Sequence, residues 1–150
     1  MQRIATLLIA TCFYLSSFTY SQAVEDAAQI SDALKRAGSN RGQIQVALDQ
    51  APAAQRAGME FLVAHMPEKD LQNLSAKYLL TNLTLAYKAW DESPWKNEVP
   101  EALFFNNVLP YANINEQRDS WRTDFYENCK PLIEGAKTPY EAAVLLNQKL

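Results

Sequence analysis

Cys129 and His65 are the two residues with which nucleophilic chemistry would have to begin. A reactive thiolate needs a helix N-terminus or a cation beside it, and a histidine within reach to act as the base. The pattern places Cys129 near the C-terminal end of a helix, where the helix dipole disfavours a thiolate. His65, the single histidine, falls in the last turn of another helix, where it can satisfy free carbonyl groups. We therefore interpret both as structural residues, and one histidine without a second ligand motif predicts no metal site.

Glu116, Asp119 and Arg122 form a second set of reactive side chains, spaced three residues apart. In a helix this spacing places them on one face, where Asp119 and Arg122 would pair for roughly 0.2–0.5 kcal/mol. A small glycosidase would instead need Glu116 and a second carboxylate across a cleft. Because no other motif marks that second carboxylate, we interpret the three residues as a solvated helix face.

The N-terminus has the layout of an export signal. Arg3 gives it a positive start, an apolar run follows, and Ser21-Gln22-Ala23 forms a small-x-small cleavage motif. These features predict a signal peptide over 1–23 and a mature chain that begins at Val24, without a membrane span because the run is too short. A lipoprotein anchor at Cys12 is the weaker alternative, since Cys12 lies inside the apolar run. We expect an exported protein that is periplasmic, on the cell surface or extracellular.

Composition limits the classes of partner. The chain has 150 residues, of which 48% are hydrophobic and 21% charged, so 24–150 can form one packed domain. Its net charge is −3 and it contains no basic block, which argues against nucleic acid and anionic membranes as partners. After cleavage Cys129 is the lone cysteine, so an internal disulfide cannot form and packing must stabilise the fold. No motif indicates a cofactor.

Helical periodicity runs through the mature region, and no alternation typical of strands occurs. The first predicted helix, Val24–Ala37, is closed by Gly38, and Asn40 is the expected cap of the second. Pro52 interrupts that second helix and serves as a first-turn residue of a third, which ends before Pro67.

The longest predicted helix is Leu71–Trp90, with Asp70 as its expected cap. Large apolar residues recur along one broad face of it, so we expect it to be the central packed element. A proline-bounded loop, Asp91–Pro100, follows, and Glu101–Val108 is expected to form one or two helical turns.

Two start signals predict the last helices. Asn113 and Glu116 resemble a capping box that opens a helix from residue 114 or 115 to about Cys129. Thr138-Pro139-Tyr140-Glu141 combines a cap, a first-turn proline and a returning glutamate, and opens Ala142–Leu150. This last helix has no stop signal, which favours a chain cut short. The whole pattern predicts an all-α fold, a small bundle of about five to seven helices.

Aromatic side chains concentrate in the second half of the chain. Packed inside, they would form a core for helices of modest length, which is the interpretation we favour; exposed, they could stack sugars or hold a partner. They are Trp90, Trp95, Phe104, Phe105, Tyr111, Trp121, Phe125, Tyr126 and Tyr140. The exposed alternative would suit a stand-alone secreted binding module for a glycan, peptide or protein.

A series of short motifs follows Trp90 in a fixed order. After a proline-bounded aromatic segment come Leu109-Pro110-Tyr111, Asn115-Glu116, Trp121-Arg122, Glu141-Ala142-Ala143 and Leu146-Asn147. This order resembles the region just ahead of the catalytic core in secreted bacterial transglutaminase-like proteins. The resemblance extends over Met59–Leu150 and is strongest from Trp90 to Trp121-Arg122.

The resemblance implies an exported protein with a papain-like core downstream of residue 150, acting by acyl transfer or amide hydrolysis through a thioester. No match to the family's catalytic cysteine, histidine and aspartate occurs in this chain, so we expect it to be inactive by itself. It would be the N-terminal lobe of a larger papain-like protein and would scaffold that core as its partner. The family-pattern residues expected to dock the helices onto the core are Trp90, Pro110, Tyr111, Glu116, Trp121 and Arg122.

Overall fold

The computed structural model describes residues 27–113 and 116–149, and the regular elements among them are all helical. The α-helices are α1 (27–36), α2 (Arg41–Gln50), α3 (Arg56–Ala64), α4 (Glu68–Leu71), α5 (Ala76–Glu92), α6 (Glu101–Leu103), α7 (Trp121–Cys129) and α8 (Pro139–Lys149). A π-helical turn, Phe104–Val108, continues α6, and short 3-10 turns cover Gly38–Asn40, Ala53–Gln55, Lys96–Glu98 and Lys130–Ile133. The all-α prediction is confirmed. The predicted signal peptide, 1–23, and the predicted helix start at Val24 lie outside the described residues.

Helix α5 is the central element, as its apolar face predicts. Its inner side chains pack against α2 and α3 on one side and against α7 on another. Leu79 and Leu83 are fully buried on α5, as are Ile44 of α2, Met59 of α3 and Phe104 of the π-helical turn. Burial of each such large side chain favours folding by roughly 1.5–3 kcal/mol before conformational entropy is counted. No helix in residues 27–113 and 116–149 has both the length and the apolar character needed to cross a membrane.

The predicted start of the longest helix is wrong. Helix α5 begins at Ala76, and the hydroxyl of Ser75 caps it by accepting the backbone N–H of Tyr78 at 3.1 Å. Asp70 instead belongs to the single-turn helix α4, where it is only 4% exposed. The apolar spacing continues across the break, so periodicity alone joined two helices that a serine cap separates.

Asn40 stands before α2 as expected, but its side chain caps a different helix. Its Nδ2 donates to the backbone carbonyls of Leu71 and Leu74 at 2.8 and 2.9 Å. An amide NH₂ group carries two donors, so Asn40 satisfies two of the carbonyls left free where α4 ends. The predicted capping of α2 by this side chain is therefore wrong.

Other predicted boundaries between the first helices hold closely. Gly38 closes α1 with a φ of 56°, the left-handed conformation that glycine adopts without strain. Pro52 follows the end of α2 as predicted, but the prediction that it is a first-turn residue of the third helix is wrong, because the 3-10 turn Ala53–Gln55 comes between and α3 begins at Arg56. Helix α3 ends before Pro67, as predicted.

The predicted helix before Cys129 is shorter than expected. The carboxylate of Glu116 does accept the backbone N–H and the side-chain amide of Asn113, at 2.8 and 3.1 Å. Residues 116–120 are nevertheless not helical, and α7 begins only at Trp121. Glu116, Asp119 and Arg122 therefore do not share a helical face. The cause is tertiary, because the non-helical backbone here lets Arg118 reach Asp70, which is 48 residues away in the sequence.

Helix α8 begins as its start signal predicts. Pro139 is its first residue, the hydroxyl of Thr138 accepts the backbone N–H of Glu141 at 3.2 Å, and the carboxylate of Glu141 accepts that of Lys137 at 2.7 Å. Local capping chemistry is sufficient here, since these hydrogen bonds lie within five consecutive residues.

Candidate functional site

Cys129 and His65 occupy separate parts of the molecule. Cys129 ends α7, is half-buried and lines a large groove. His65 lines a different, smaller cavity; its Nδ1 lies 2.9 Å from the carbonyl oxygen of Phe61, and the two rings are 4.3 Å apart. The prediction that His65 satisfies a helix carbonyl is confirmed. The structure does not bring a thiol and an imidazole together in the described part of the chain.

A buried carboxylate cluster fixes the segment that precedes α7. The carboxylate of Asp70 accepts a hydrogen bond from the phenol hydroxyl of Tyr111 at 3.0 Å. It also accepts hydrogen bonds from two nitrogens of the Arg118 guanidinium, Nε and Nη2, which lie 3.0 and 2.9 Å from Oδ2. Burial, reinforced by the Asp70 carboxylate, raises the pKa of the Tyr111 phenol strongly. The Asp70 hydrogen bond likewise raises the pKa of Arg118. These groups are engaged with one another, so the cluster has the character of a structural tie.

Arg122 makes a second tie, with neutral partners. Its Nε donates to Oδ1 of Asn82 at 2.7 Å, and its Nη2 donates to the carbonyls of Val108 and Pro110 at 2.8 and 2.9 Å. Asn82, which is 5% exposed, donates in turn to the carbonyl of Leu109 at 3.0 Å. Burial lowers the pKa of Arg122 to about 10, which still leaves a cation at neutral pH.

Trp121 connects the two ties. Its indole Nε1 donates to the carbonyl of Tyr111 at 2.6 Å, and the guanidinium carbon of Arg122 lies 4.5 Å from the centre of its ring. Phe125 packs edge-on against it at 5.3 Å. Pro110, Tyr111, Trp121 and Arg122 thus form one connected group. The remaining family-pattern residues lie apart: Trp90 stacks on Phe104 at 4.2 Å, and Glu116 bonds Asn113 in the loop ahead of α7.

A groove of about 680 Å³ lies between the C-terminal half of α5, helix α7 and the turn that follows α7. Its walls are predominantly aromatic and aliphatic, and include Leu85, Trp90, Trp95, Val99, Val108, Trp121, Phe125, Tyr126, Pro131 and Ile133. Phe125 is 58% exposed here. The prediction that the aromatic half forms core is therefore met by Phe104 and Tyr111, which are buried, and not by Phe125 or Tyr140.

Charged groups at the groove differ in how they are paired. The carboxylate of Glu92 accepts hydrogen bonds from the hydroxyl of Tyr126 at 2.7 Å and from the ammonium group of Lys130. The Lys130 hydrogen bond lowers the pKa of Glu92. Arg122 and Glu134 also line the groove, and neither has a part in the ion pairs formed among the described residues.

Sequence reasoning missed Asp70, Arg118 and Asn82 as site residues. Asn82 carried a usable signal, since it shares the inner face of α5 with Leu79 and Leu83 and a buried amide requires partners. Asp70 and Arg118 carried none, because each lies among polar residues and only the tertiary structure joins them. In residues 27–113 and 116–149, no group of three or more His, Cys, Asp or Glu side chains is placed to hold a metal ion.

Comparison of the chain with protein-family models, with curated proteins and with solved structures found no match.

Proposed function

We propose that this chain is a non-catalytic helical lobe of an exported transglutaminase-like protein and that its groove docks the papain-like core of the same polypeptide. The observation that carries the proposal is the position of Trp90, Trp121 and Arg122, all of which line the groove. These are residues on which the resemblance to that family rests. Three of the six family-pattern residues therefore share one open apolar surface, as a docking role requires, while Pro110 and Tyr111 line the smaller cavity.

The character of the groove supports an interface. Phe125 is 58% exposed on a wall that is predominantly apolar. Exposed apolar patches rimmed by polar groups are typical of protein contact sites. Aromatic residues and arginine are also the residue types enriched at the centres of interfaces. Trp121 and Arg122 supply both types side by side.

The groove wall is held before any partner arrives. Arg122 bonds Asn82 of α5 and the carbonyls of Val108 and Pro110, while Trp121 bonds the carbonyl of Tyr111. Groups fixed in this way lose little conformational freedom on binding, so preorganisation favours affinity. The hydrogen bonds of the family-pattern residues therefore support a docking surface rather than a catalytic centre.

A test of the docking surface uses Nile red, an uncharged dye whose fluorescence rises in apolar surroundings. We expect the purified chain to bind the dye and Phe125→Ala to weaken that binding. Tyr140→Ala is the matched control, because Tyr140 is an even more exposed aromatic residue, at 78%, and does not line the groove. If the chain is folded and monomeric and the fluorescence of Nile red does not rise, the proposal is contradicted.

A second test concerns the identity of the partner. Reading the coding frame beyond Leu150 should reveal a cysteine at a predicted helix start, followed by a histidine and an aspartate. A frame without them would remove the transglutaminase-like part of the proposal. The export part is checked separately by the mass of the mature protein recovered from cells, which should begin at Val24.

A secreted binding module is the second candidate function. The observation that favours it is the volume of the groove, about 680 Å³, which falls within the range of small-ligand pockets. Its aromatic walls suit the faces of sugars or the side chains of a peptide. A stop codon directly after Leu150, together with dye binding at the groove, would favour this function over the first.

A further inference from the structure

Arg122 brings an unneutralised cation to the wall of the groove. Each of its hydrogen bonds within the described residues goes to a neutral oxygen, from Asn82, Val108 or Pro110, and its Nη1 has no acceptor among them. Arg118, by contrast, has the carboxylate of Asp70. The ion pairs in the described part of the chain involve Arg36, Lys96, Arg118 and Lys130, and none involves Arg122.

A cation without an opposite charge nearby is unfavourable, and an anionic partner would relieve that cost. Arg122 is half-buried, and a charge that is partly removed from water is ordinarily paired with an opposite charge, because that removal is unfavourable. The lowered pKa of Arg122, about 10, reflects that desolvation, and no carboxylate opposes it. Neutral acceptors hold the guanidinium in place, and they leave its charge available to an anionic partner.

Trp90 contributes an independent observation on the same wall. Its indole Nε1 is buried and has no hydrogen-bond partner among the described residues. A buried donor left without an acceptor is unfavourable. Trp90 lines the same groove as Arg122, but its Nε1 is itself shielded from solvent.

Building on the proposed docking function, we propose that the occupant of the groove is an apolar polypeptide segment that carries an Asp or Glu side chain, whose carboxylate accepts a hydrogen bond from Nη1 of Arg122. Charge complementarity selects an acidic side chain at Arg122, which has no ion pair among the described residues, whereas the groove's Lys130 and Glu92 neutralise each other. The remaining charged residue of the lining, Glu134, lies at the end of the turn that follows α7. The apolar walls select its neighbours, which pack against Trp121 and Phe125.

The test compares two blocked peptides that differ in one group, acetyl-Leu-Phe-Glu-Leu-Leu-amide and its glutamine counterpart. Binding to the purified chain is followed by NMR of the indole N–H signals of the three tryptophans. We expect the glutamate peptide to bind about tenfold more tightly, as one charge-assisted hydrogen bond allows. Equal affinities for the two peptides would overturn the proposal.

Variants locate the effect. Arg122→Gln should reduce the affinity for the glutamate peptide to that for the glutamine peptide, with folding checked by circular dichroism. Phe125→Ala should weaken the binding of both peptides by the same factor, and Tyr140→Ala should leave both affinities unchanged. Because Arg122→Gln could fail to fold, the comparison of the two peptides on the unaltered chain remains the deciding measurement.

The outcomes separate this inference from the docking proposal. Nile red binding with equal peptide affinities would leave the apolar docking surface standing and remove the carboxylate. Absence of both dye and peptide binding would contradict both proposals. Decanoate that binds as tightly as the glutamate peptide, and competes with it, would identify the occupant as a free amphiphilic acid and overturn the polypeptide assignment.

Discussion

Arg118 and Asp70, which are 48 residues apart in the sequence, form a bidentate ion pair. The guanidinium Nε lies 3.1 Å from Oδ1 and Nη2 lies 2.9 Å from Oδ2 of the carboxylate. Planar guanidinium and carboxylate groups match in this geometry, which makes the hydrogen bonds both directional and strong. The pair fastens the non-helical segment ahead of α7 to α4, and the hydroxyl of Tyr111 completes the shell of the carboxylate.

Loss of Arg118 should therefore be destabilising. Arg118→Ala leaves the carboxylate of Asp70 buried with one donor, and breaking a buried pair in this way costs about 3–5 kcal/mol. We expect the lower end, because the Arg118 side chain is itself 21% exposed. Urea denaturation measures the effect. The control is Asp32→Ala, which removes the exposed pair with Arg36 and should cost less than about 1 kcal/mol. Similar losses in the two variants would contradict this account.

Alkaline pH should destabilise the fold. Burial raises the pKa values of Tyr78, Tyr87 and Tyr111 above the ordinary 10.0. Above about pH 10 the unfolded chain loses these protons while the folded chain keeps them, so the free energy of unfolding falls as pH rises. Arg122 opposes the fall, because with a folded pKa of about 10 it releases its proton earlier in the folded state than in the unfolded one.

Tyr111→Phe tests the largest of these contributions. Unfolding free energies measured at about pH 9 and about pH 11 should differ less in this variant than in the unaltered chain. Tyr140→Phe, at a position 78% exposed, should show the full difference. An unchanged pH slope in Tyr111→Phe would mean that the phenol is not held protonated by burial and by Asp70.

Sequence patterns predicted the elements whose causes are local. The start of α8 needs only the hydrogen bonds of Thr138 and Glu141, and the end of α1 needs only the positive φ of Gly38. Both can be inferred from neighbouring residues. The central position of α5 could likewise be inferred from the period of its apolar face.

Tertiary causes escaped the same reasoning. Asp70 was expected at a helix cap because aspartate favours that position, yet its partners are Tyr111 and Arg118, more than 40 residues away. The loop before α7 was expected to be helical because its local spacing allows a helix. The position of Arg122 against Asn82 depends on the packing of α7 on α5, which no pattern within either helix specifies.

Gly58 should not tolerate alanine. A Cβ atom there would lie 2.7 Å from the hydroxyl oxygen and 2.8 Å from Cε2 of Tyr87, and that ring packs edge-on against Phe104 at 4.8 Å. Overpacking of this kind costs about 1–3 kcal/mol. The gain in helix propensity from glycine to alanine is roughly 1 kcal/mol, so we expect the clash to decide the outcome. We expect Gly58→Ala to lower the thermal midpoint.

Gly42 provides the matched control for that substitution. It lies in α2, and a Cβ atom there would meet nothing within 4 Å. Gly42→Ala should thus raise stability by roughly 0.5–1 kcal/mol through helix propensity alone. If both variants shift the thermal midpoint in the same direction, the close approach of Tyr87 to Gly58 does not limit stability.

The substitution Asn40→Asp, which replaces the side-chain NH₂ group with an oxygen, distinguishes the two interpretations of Asn40: a cap of α2, or a donor to the carbonyls at the end of α4. As a helix N-cap, aspartate would serve as well as asparagine, so Asn40→Asp would be nearly neutral. In the structure the NH₂ group donates to the carbonyls of Leu71 and Leu74, and aspartate would place a carboxylate oxygen against both of them. We expect Asn40→Asp to cost about 1–3 kcal/mol, since two donors are lost and an acceptor faces acceptors. Urea denaturation near neutral pH measures the loss, and lowering the pH should recover part of it as the carboxyl group gains a proton and can donate again. A variant as stable as the unaltered chain would return Asn40 to the role of an ordinary cap of α2.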